Sequence, residues 1–400
     1  MRLLAAALLA LAAHSAAADT TYSDRIATQG LRATEAELAA LPSPSPSDRF
    51  ALGGVRFLAG IERALQLRYD VGLSEGMAVA SGVPLLRLPI GENPSPTPFQ
   101  PGMIDDLFRG VESDMAGAIE ALSTIQDTDE VAVEIDTADL WFDIDGNGTR
   151  APGEGVMEIA AWTLAGGFGG LEIPSTTIRF DTADAAWLSA YAHLLSAISD
   201  GILAVDVSDA IARVTEARAS FEALGLPPPA YDFLFGDDMA ETADLVAMFV
   251  MAVEGQPDPA RTRAARDHLL AVVQDNRRFW SLVPREADND REWIPNKRQQ
   301  SATGLPFPPD TGARWLAVLS DAEAVLKGEL LIPFWRVGPG AGLDLNALLE
   351  NPPELDVASM IQGATFVPYL KAGRLADGRN LRFFESLVQG DSALYAVMLN

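Results

Sequence analysis

No cysteine occurs among the 400 residues, which excludes disulfides, thiolate metal ligands and cysteine nucleophiles. Histidine is nearly as rare. It stands only at positions 14, 193 and 268, too few for a histidine-built zinc site, and no H-E-x-x-H pair is present. Phosphate-binding glycine loops and Gly-x-Gly-x-x-Gly fingerprints are also missing in the strand-to-helix context they require. Basic residues are scarce, with 29 Lys plus Arg against 56 Asp plus Glu and a formal net charge of −27. A surface of that sign repels nucleic acid and anionic membrane faces and draws cations.

Long hydrophobic runs are limited to one. Arg2, the apolar stretch Leu3 to Ala13 and the small residues Ala16-Ala17-Ala18 form the pattern of a secretory signal peptide over residues 1–18, too short to cross a bilayer. The expectation is a soluble exported chain, periplasmic or secreted, with no membrane span. Residues 19–400, drawn from a sequence that is 48% hydrophobic, are expected to form a single compact, mainly helical unit. A possible subdivision separates 19–180 from 181–400.

Helical periodicity dominates what is present. Ile104, Leu107, Phe108, Val111, Met115, Ala118, Ile119 and Leu122 recur at the spacing of one helix face. Leu58, Ile61 and Leu65 repeat the pattern upstream. From Thr182, with Asp181 or Thr182 as cap, Trp187, Tyr191, Leu194, Leu195, Ile198 and Ile202 form one apolar stripe. Further helices are expected over 206–224, 241–253, 259–282 and 312–327, with Gly328 ending the last. Two proline-serine stretches, LPSPSPSD from Leu41 and NPSPTPFQP from Asn93, read as ordered connections. Strands are expected at 131–135, 140–142 and 171–180, and LLIPFWRV from Leu330 reads as extended. The tetrapeptide DTAD occurs at Asp136 and again at Asp181. The fold class is therefore mainly α, a multi-helix globular protein with a small β element.

The most specific segment is DIDGNGTRAPGE, Asp143 to Glu154. A calcium ion takes six to eight oxygens at about 2.3 to 2.6 Å, and this spacing offers them from Asp143, Asp145, Asn147, the Thr149 carbonyl and Glu154. Gly148 occupies the sixth position, where the chain turns sharply. These twelve residues resemble an EF-hand calcium loop, and the resemblance stops at their ends. Position 8, usually apolar and paired with a second loop, is Arg150, and Pro152 stands at position 10. Upstream, VAVEIDTADLWFD alternates like a strand. Downstream, Met157, Ala160, Ala161 and Leu164 keep helical spacing. The expectation is a strand-loop-helix site for one Ca2+.

Other chemistry is thinly represented. GLSEG from Gly72 fits the nucleophile-elbow string around Ser74, but its flanks read as helix before and extended chain after, the reverse of what that elbow needs. His193 and His268 read as helix-interface residues. Residues 276–300 concentrate Arg277, Arg291 and Arg298 beside Trp280 and Trp293, either a clamp for an anionic or sugar ligand or a loop pinned by ion pairs. The leading expectation is an exported calcium-binding protein with a mainly structural ion and no catalysis of its own. A periplasmic ligand-binding module using residues 276–300 and a calcium-dependent exported hydrolase stay open as alternatives.

Overall fold

Several helices begin where short polar residues cap them. In α1 (Tyr22–Ala39) the Thr21 hydroxyl accepts the N–H of Asp24 while the Asp24 carboxylate accepts that of Thr21. Ser45 and Asp48 repeat the arrangement for α2 (Pro46–Asp70), so the second half of LPSPSPSD is a helix start. Each reciprocal pair satisfies two first-turn donors that have no partner within the helix. The second proline-serine stretch is tied back to the end of α2, where Thr97 N–H donates to the Asp70 carbonyl at 2.7 Å.

The computed structural model describes residues 21–73, 88, 90–159, 176–226, 239–287, 291–304 and 307–387. Residues 1–20, Ser74, the glycine-rich stretch at 166–170 and residues 288–290 lie outside them. After α2 come α3 (Met103–Ser123), β1 (Val133–Asp136), β2 (Thr177–Phe180), α4 (Thr182–Leu203), α5 (Val207–Ala223), α6 (Met239–Val253) and α7 (Pro259–Leu282). They are followed by α8 (Thr311–Leu326), β3 (Ile332–Pro333), β4 (Ala341–Leu343), α9 (Leu345–Glu350), α10 (Val357–Gln362), β5 (Leu370–Ala372) and α11 (Arg379–Leu387). The protein is mainly helical, with a two-stranded and a three-stranded antiparallel sheet. No helix among the described residues is long and apolar enough to cross a membrane.

Packing runs as a succession, α1 on α2, α2 on α3, α3 on α4, α4 on α7, α7 on α8 and α8 on α11. The periodic stripe of α3 is buried as its spacing requires, with Val111, Met115 and Ala118 fully inaccessible. Close approach of α2 and α3 depends on glycine, since a Cβ at Gly53 would stand 2.6 Å from Leu122 Cγ and one at Gly60 2.6 Å from Met115 Cε. Helix α4 serves two cores. Leu188, Ala192 and Leu195 join α1 to α3 and β1, whereas Ala183 and Ala186 join Phe279, Ile294, Trp315 and Phe384.

Two extended expectations are shorter than drawn. Residues 140–142 make one antiparallel bridge, Trp141 to Gly155, in place of a strand, because the chain leaving the loop turns helical at 156. Of LLIPFWRV only Ile332–Pro333 joins a sheet, and Phe334 to Val337 turns back, with Val337 N–H on the Phe334 carbonyl at 3.1 Å. The two DTAD strings follow the paired strands β1 and β2, register Val133↔Phe180 to Asp136↔Thr177. Their roles diverge: the first makes a turn, and in the second Asp181 caps α4 with Asp184 closing the box.

Candidate metal centre

The loop at 143–154 is closed at its neck by the backbone. Phe142 N–H donates to the Glu154 carbonyl at 2.9 Å and Val156 N–H to the Leu140 carbonyl at 3.0 Å. Trp141 carries that neck into the core, its indole N–H donating to the Ile26 carbonyl of α1 at 2.8 Å. The ring seats where α1 is broken at Gly30, φ +77 and ψ −177, and a Cβ there would stand 3.1 Å from it. Phe142 and Ile144 are buried in the larger core, so the start of the loop is fixed before any ligand is considered.

Within the loop the acidic side chains converge. One carboxylate oxygen from each of Asp143, Asp145 and Glu154 lies within 4.8 Å of the other two, which is about the greatest separation of two oxygens on one calcium. Gly148, φ +74, turns its N–H onto Asp143 Oδ2 at 3.0 Å. Glu154 is buried and spans the loop, Oε1 accepting Ile144 N–H at 2.9 Å and Oε2 accepting Ala151 N–H at 2.6 Å. Asn147 and Thr149 lie on the solvent side. Asn147 Oδ1 accepts the Thr149 N–H at 2.7 Å and also the Thr149 hydroxyl, and its amide donates to Asp145 Oδ2 at 2.6 Å. Arg150, where a paired loop would have an apolar residue, folds back to the Ala138 carbonyl at 2.7 Å.

Helix α2 supplies what the sequence did not reveal. Glu62 Oε2 accepts Asp143 N–H at 2.9 Å, and Gln66 Nε2, one turn on, donates to the Asp143 carbonyl at 2.8 Å. Both peptide groups at the first loop position are thus held by one face of α2. Glu62 is 1% exposed, and its Oε1, like Asp143 Oδ1, is buried without a hydrogen-bond partner. Among the described residues the cation paired with it is Arg32, Nε standing 3.8 Å from Glu62 Oε1. Burial, reinforced by the charges of Asp143 and Glu154, pushes the Glu62 carboxyl up to about 7 against the Asp143 N–H and Arg32. Buried oxygens without donors are costly in isolation, and hard oxygens gathered this way suit a divalent cation. Glu62 precedes its partner by 81 residues, and no local spacing announces it.

A second acidic convergence joins Asp181 at the cap of α4, Glu286 and the buried Glu292. Gln299 Nε2 donates to Glu292 at 2.9 Å and to Glu286 at 3.3 Å. Burial, with the neighbouring carboxylates Asp181, Asp184 and Glu292, pushes Glu286 up to about 9. Asp184 is also raised, by burial first and Asp181 second. The two histidines meet as well, His193 Nδ1 to His268 Nδ1 at 2.7 Å across α4 and α7.

Residues of the 276–300 segment are distributed among different partners. Arg277 pairs with Glu323 of α8, and Arg291 with Glu134 of β1 at 3.2 Å. Arg298 donates to the Pro284 and Glu286 carbonyls at 3.3 and 2.9 Å. Trp280 lies against Phe279, ring centroids 5.0 Å apart. Trp293 packs on Trp187 at 5.6 Å and Phe180 at 6.3 Å. Arg291 takes a left-handed backbone, φ +62, while its carbonyl accepts Arg179 N–H at 2.9 Å, placing the segment along β2. No protein-family model, characterised protein or solved structure matches the chain, so its function has to be read from this geometry.

Proposed function

We propose that this chain is an exported calcium-binding protein whose ion is structural, stapling the junction where the extended chain at 140–142 passes into the helix beginning at 156. The observation that carries the reading is the convergence of Asp143, Asp145 and Glu154 beside a buried, unpartnered Asp143 Oδ1. Several protein oxygens drawn from one twelve-residue loop favour calcium over magnesium, which is smaller, rigidly octahedral and keeps most of its waters. The entering end of the loop is fixed to α1 and α2 and the exit end is tied to it by the Phe142–Glu154 backbone bond, which suits an ion that adds stability rather than one that drives a large opening. Export rests on the leader-like sequence at 1–18. Calorimetric titration of the metal-free chain with calcium tests the reading, with one ion per chain expected. No heat of binding up to millimolar calcium would sink it.

The carboxylate group at Asp181, Glu286 and Glu292 favours a second reading, the exported hydrolase. A carboxyl raised by burial and by neighbouring carboxylates is the arrangement of a general acid. Glu286→Gln should then abolish hydrolysis of the substrate found by screening. If the group is structural, the same variant instead raises stability above about pH 7, because a carboxyl raised in the fold loses stability as pH climbs from its unfolded value near 4.3 toward its folded one. The 276–300 segment, with its arginines engaged by Glu323, Glu134 and backbone carbonyls, supports a pinned loop more than a ligand clamp.

A further inference from the structure

We infer that the ion site extends beyond its loop into α2, with Glu62 as a positioning carboxylate that, together with Gln66, holds Asp143 in the geometry that binds the cation and, when ionised, adds negative charge to the site. The inference rests on the calcium reading above and deepens it. Three observations support it. Glu62 and Gln66 stand four residues apart on one helix face and grip the N–H and C=O of the same residue. Glu62 is 1% exposed yet leaves Oε1 without a hydrogen bond, a cost that a nearby divalent cation would offset. Its counter-cation, Arg32, is 3.8 Å away and turned mainly elsewhere, donating to Asp114 at 3.2 Å and to the Ala59 carbonyl at 3.1 Å.

In an isolated loop the entering and exiting helices orient the ligands. Here the entering chain is extended, and α2 takes over that role from outside the loop. Outer partners of this kind orient the inner ligands, and their loss typically costs about 10- to 100-fold in metal affinity. The charge of Glu62 acts in the opposite sense on the metal-free protein, where it adds to the repulsion among Asp143, Asp145 and Glu154. Arg32 has the converse effect, relieving that repulsion while opposing a divalent ion.

The test compares calcium affinity by calorimetry and melting temperature in chelator for the full chain, Glu62→Gln, Arg32→Gln and Asp145→Asn. Glutamine at 62 keeps an oxygen for Asp143 N–H and removes only the charge. Calcium binding weakened about 10- to 100-fold, with the metal-free melting temperature unchanged or raised, is the expected result. Arg32→Gln should tighten calcium binding while lowering the metal-free melting temperature. Glu62→Gln that binds calcium like wild type, while Asp145→Asn does not, would overturn the role of Glu62 and leave the loop reading standing. Wild type that binds no calcium would overturn both.

Discussion

Replacing Asp145 by asparagine removes one loop carboxylate at an exposed position without disturbing the core. Its present contacts, Oδ1 with Asn147 N–H at 3.1 Å and Oδ2 with the Asn147 amide at 2.6 Å, are local to the loop, so the metal-free stability should stay within about 0.5 kcal/mol of wild type. The calcium response should not. A site with a dissociation constant of about 0.1 mM, within the range of extracellular modules, gains about 2.7 kcal/mol when calcium is raised to one hundred times that value. Unfolding entropy of about 2.1 cal/mol/K per residue converts this into a rise in melting temperature of about 3 °C for a chain of this length. A 10- to 100-fold weaker site would retain about 1.4 to 0.4 kcal/mol at the same calcium concentration, a rise of about 2 °C or less. Scanning calorimetry of both proteins, each in chelator and in calcium, measures all four quantities. Equal calcium shifts in the two proteins would refute the assignment of Asp145 as a ligand, and a variant that melts well below wild type in chelator would refute the claim that its role is confined to the ion.

Gly53→Val should destabilise the protein by about 1 to 3 kcal/mol through overpacking between α2 and α3, because a Cβ at Gly53 meets Leu122 Cγ at 2.6 Å. Gly201→Ala on α4, where a Cβ would meet nothing within 4 Å, should stabilise by about 0.5 to 1 kcal/mol, and urea titration of both variants against wild type measures the two changes. The histidine pair predicts a pH dependence. Burial first, and the neighbouring His268 second, hold His193 down to about 4, so the unfolded chain takes up a proton that the fold resists. Stability from this group is therefore fully present above the unfolded value near 6.5 and is lost as pH falls toward the folded one. Discounted for a partly solvated ring, the loss at about pH 5 is about 1 kcal/mol. His193→Asn should lack it, and the difference between the two proteins isolates it from the raised carboxyls Glu62, Glu112 and Glu286, which act with the opposite sign. Parallel pH profiles of the two proteins would contradict this account.

What was legible in the sequence was what local spacing encodes. Helix α7 begins and ends where Asp258, Pro259 and the apolar period place it, and the stripe of α3 is buried as read. The convergence of Asp143, Asp145 and Glu154 shares the same logic, because twelve consecutive residues carry both the acids and the glycines that turn the chain. Partners set by tertiary approach were not legible. Glu62 meets Asp143 from 81 residues away, and His193 meets His268 from 75. The break in α1 is intelligible only once Trp141 is seen against Gly30. The carboxylates at 181, 286 and 292 belong to a helix cap and two later loop positions, with no common period. In the 276–300 segment the composition was evident, but the choice between clamp and pinned loop depended on which acids α8 and β1 present to it.

A crystal structure of the chain grown with calcium, with the ion located by its anomalous scattering, tests the central claim most directly. The account predicts one ion ringed by Asp143, Asp145, Asn147, the Thr149 carbonyl and Glu154 at about 2.3 to 2.6 Å, with Glu62 behind Asp143. A loop that holds no ion, or an ion found instead at Asp181, Glu286 and Glu292, would contradict it.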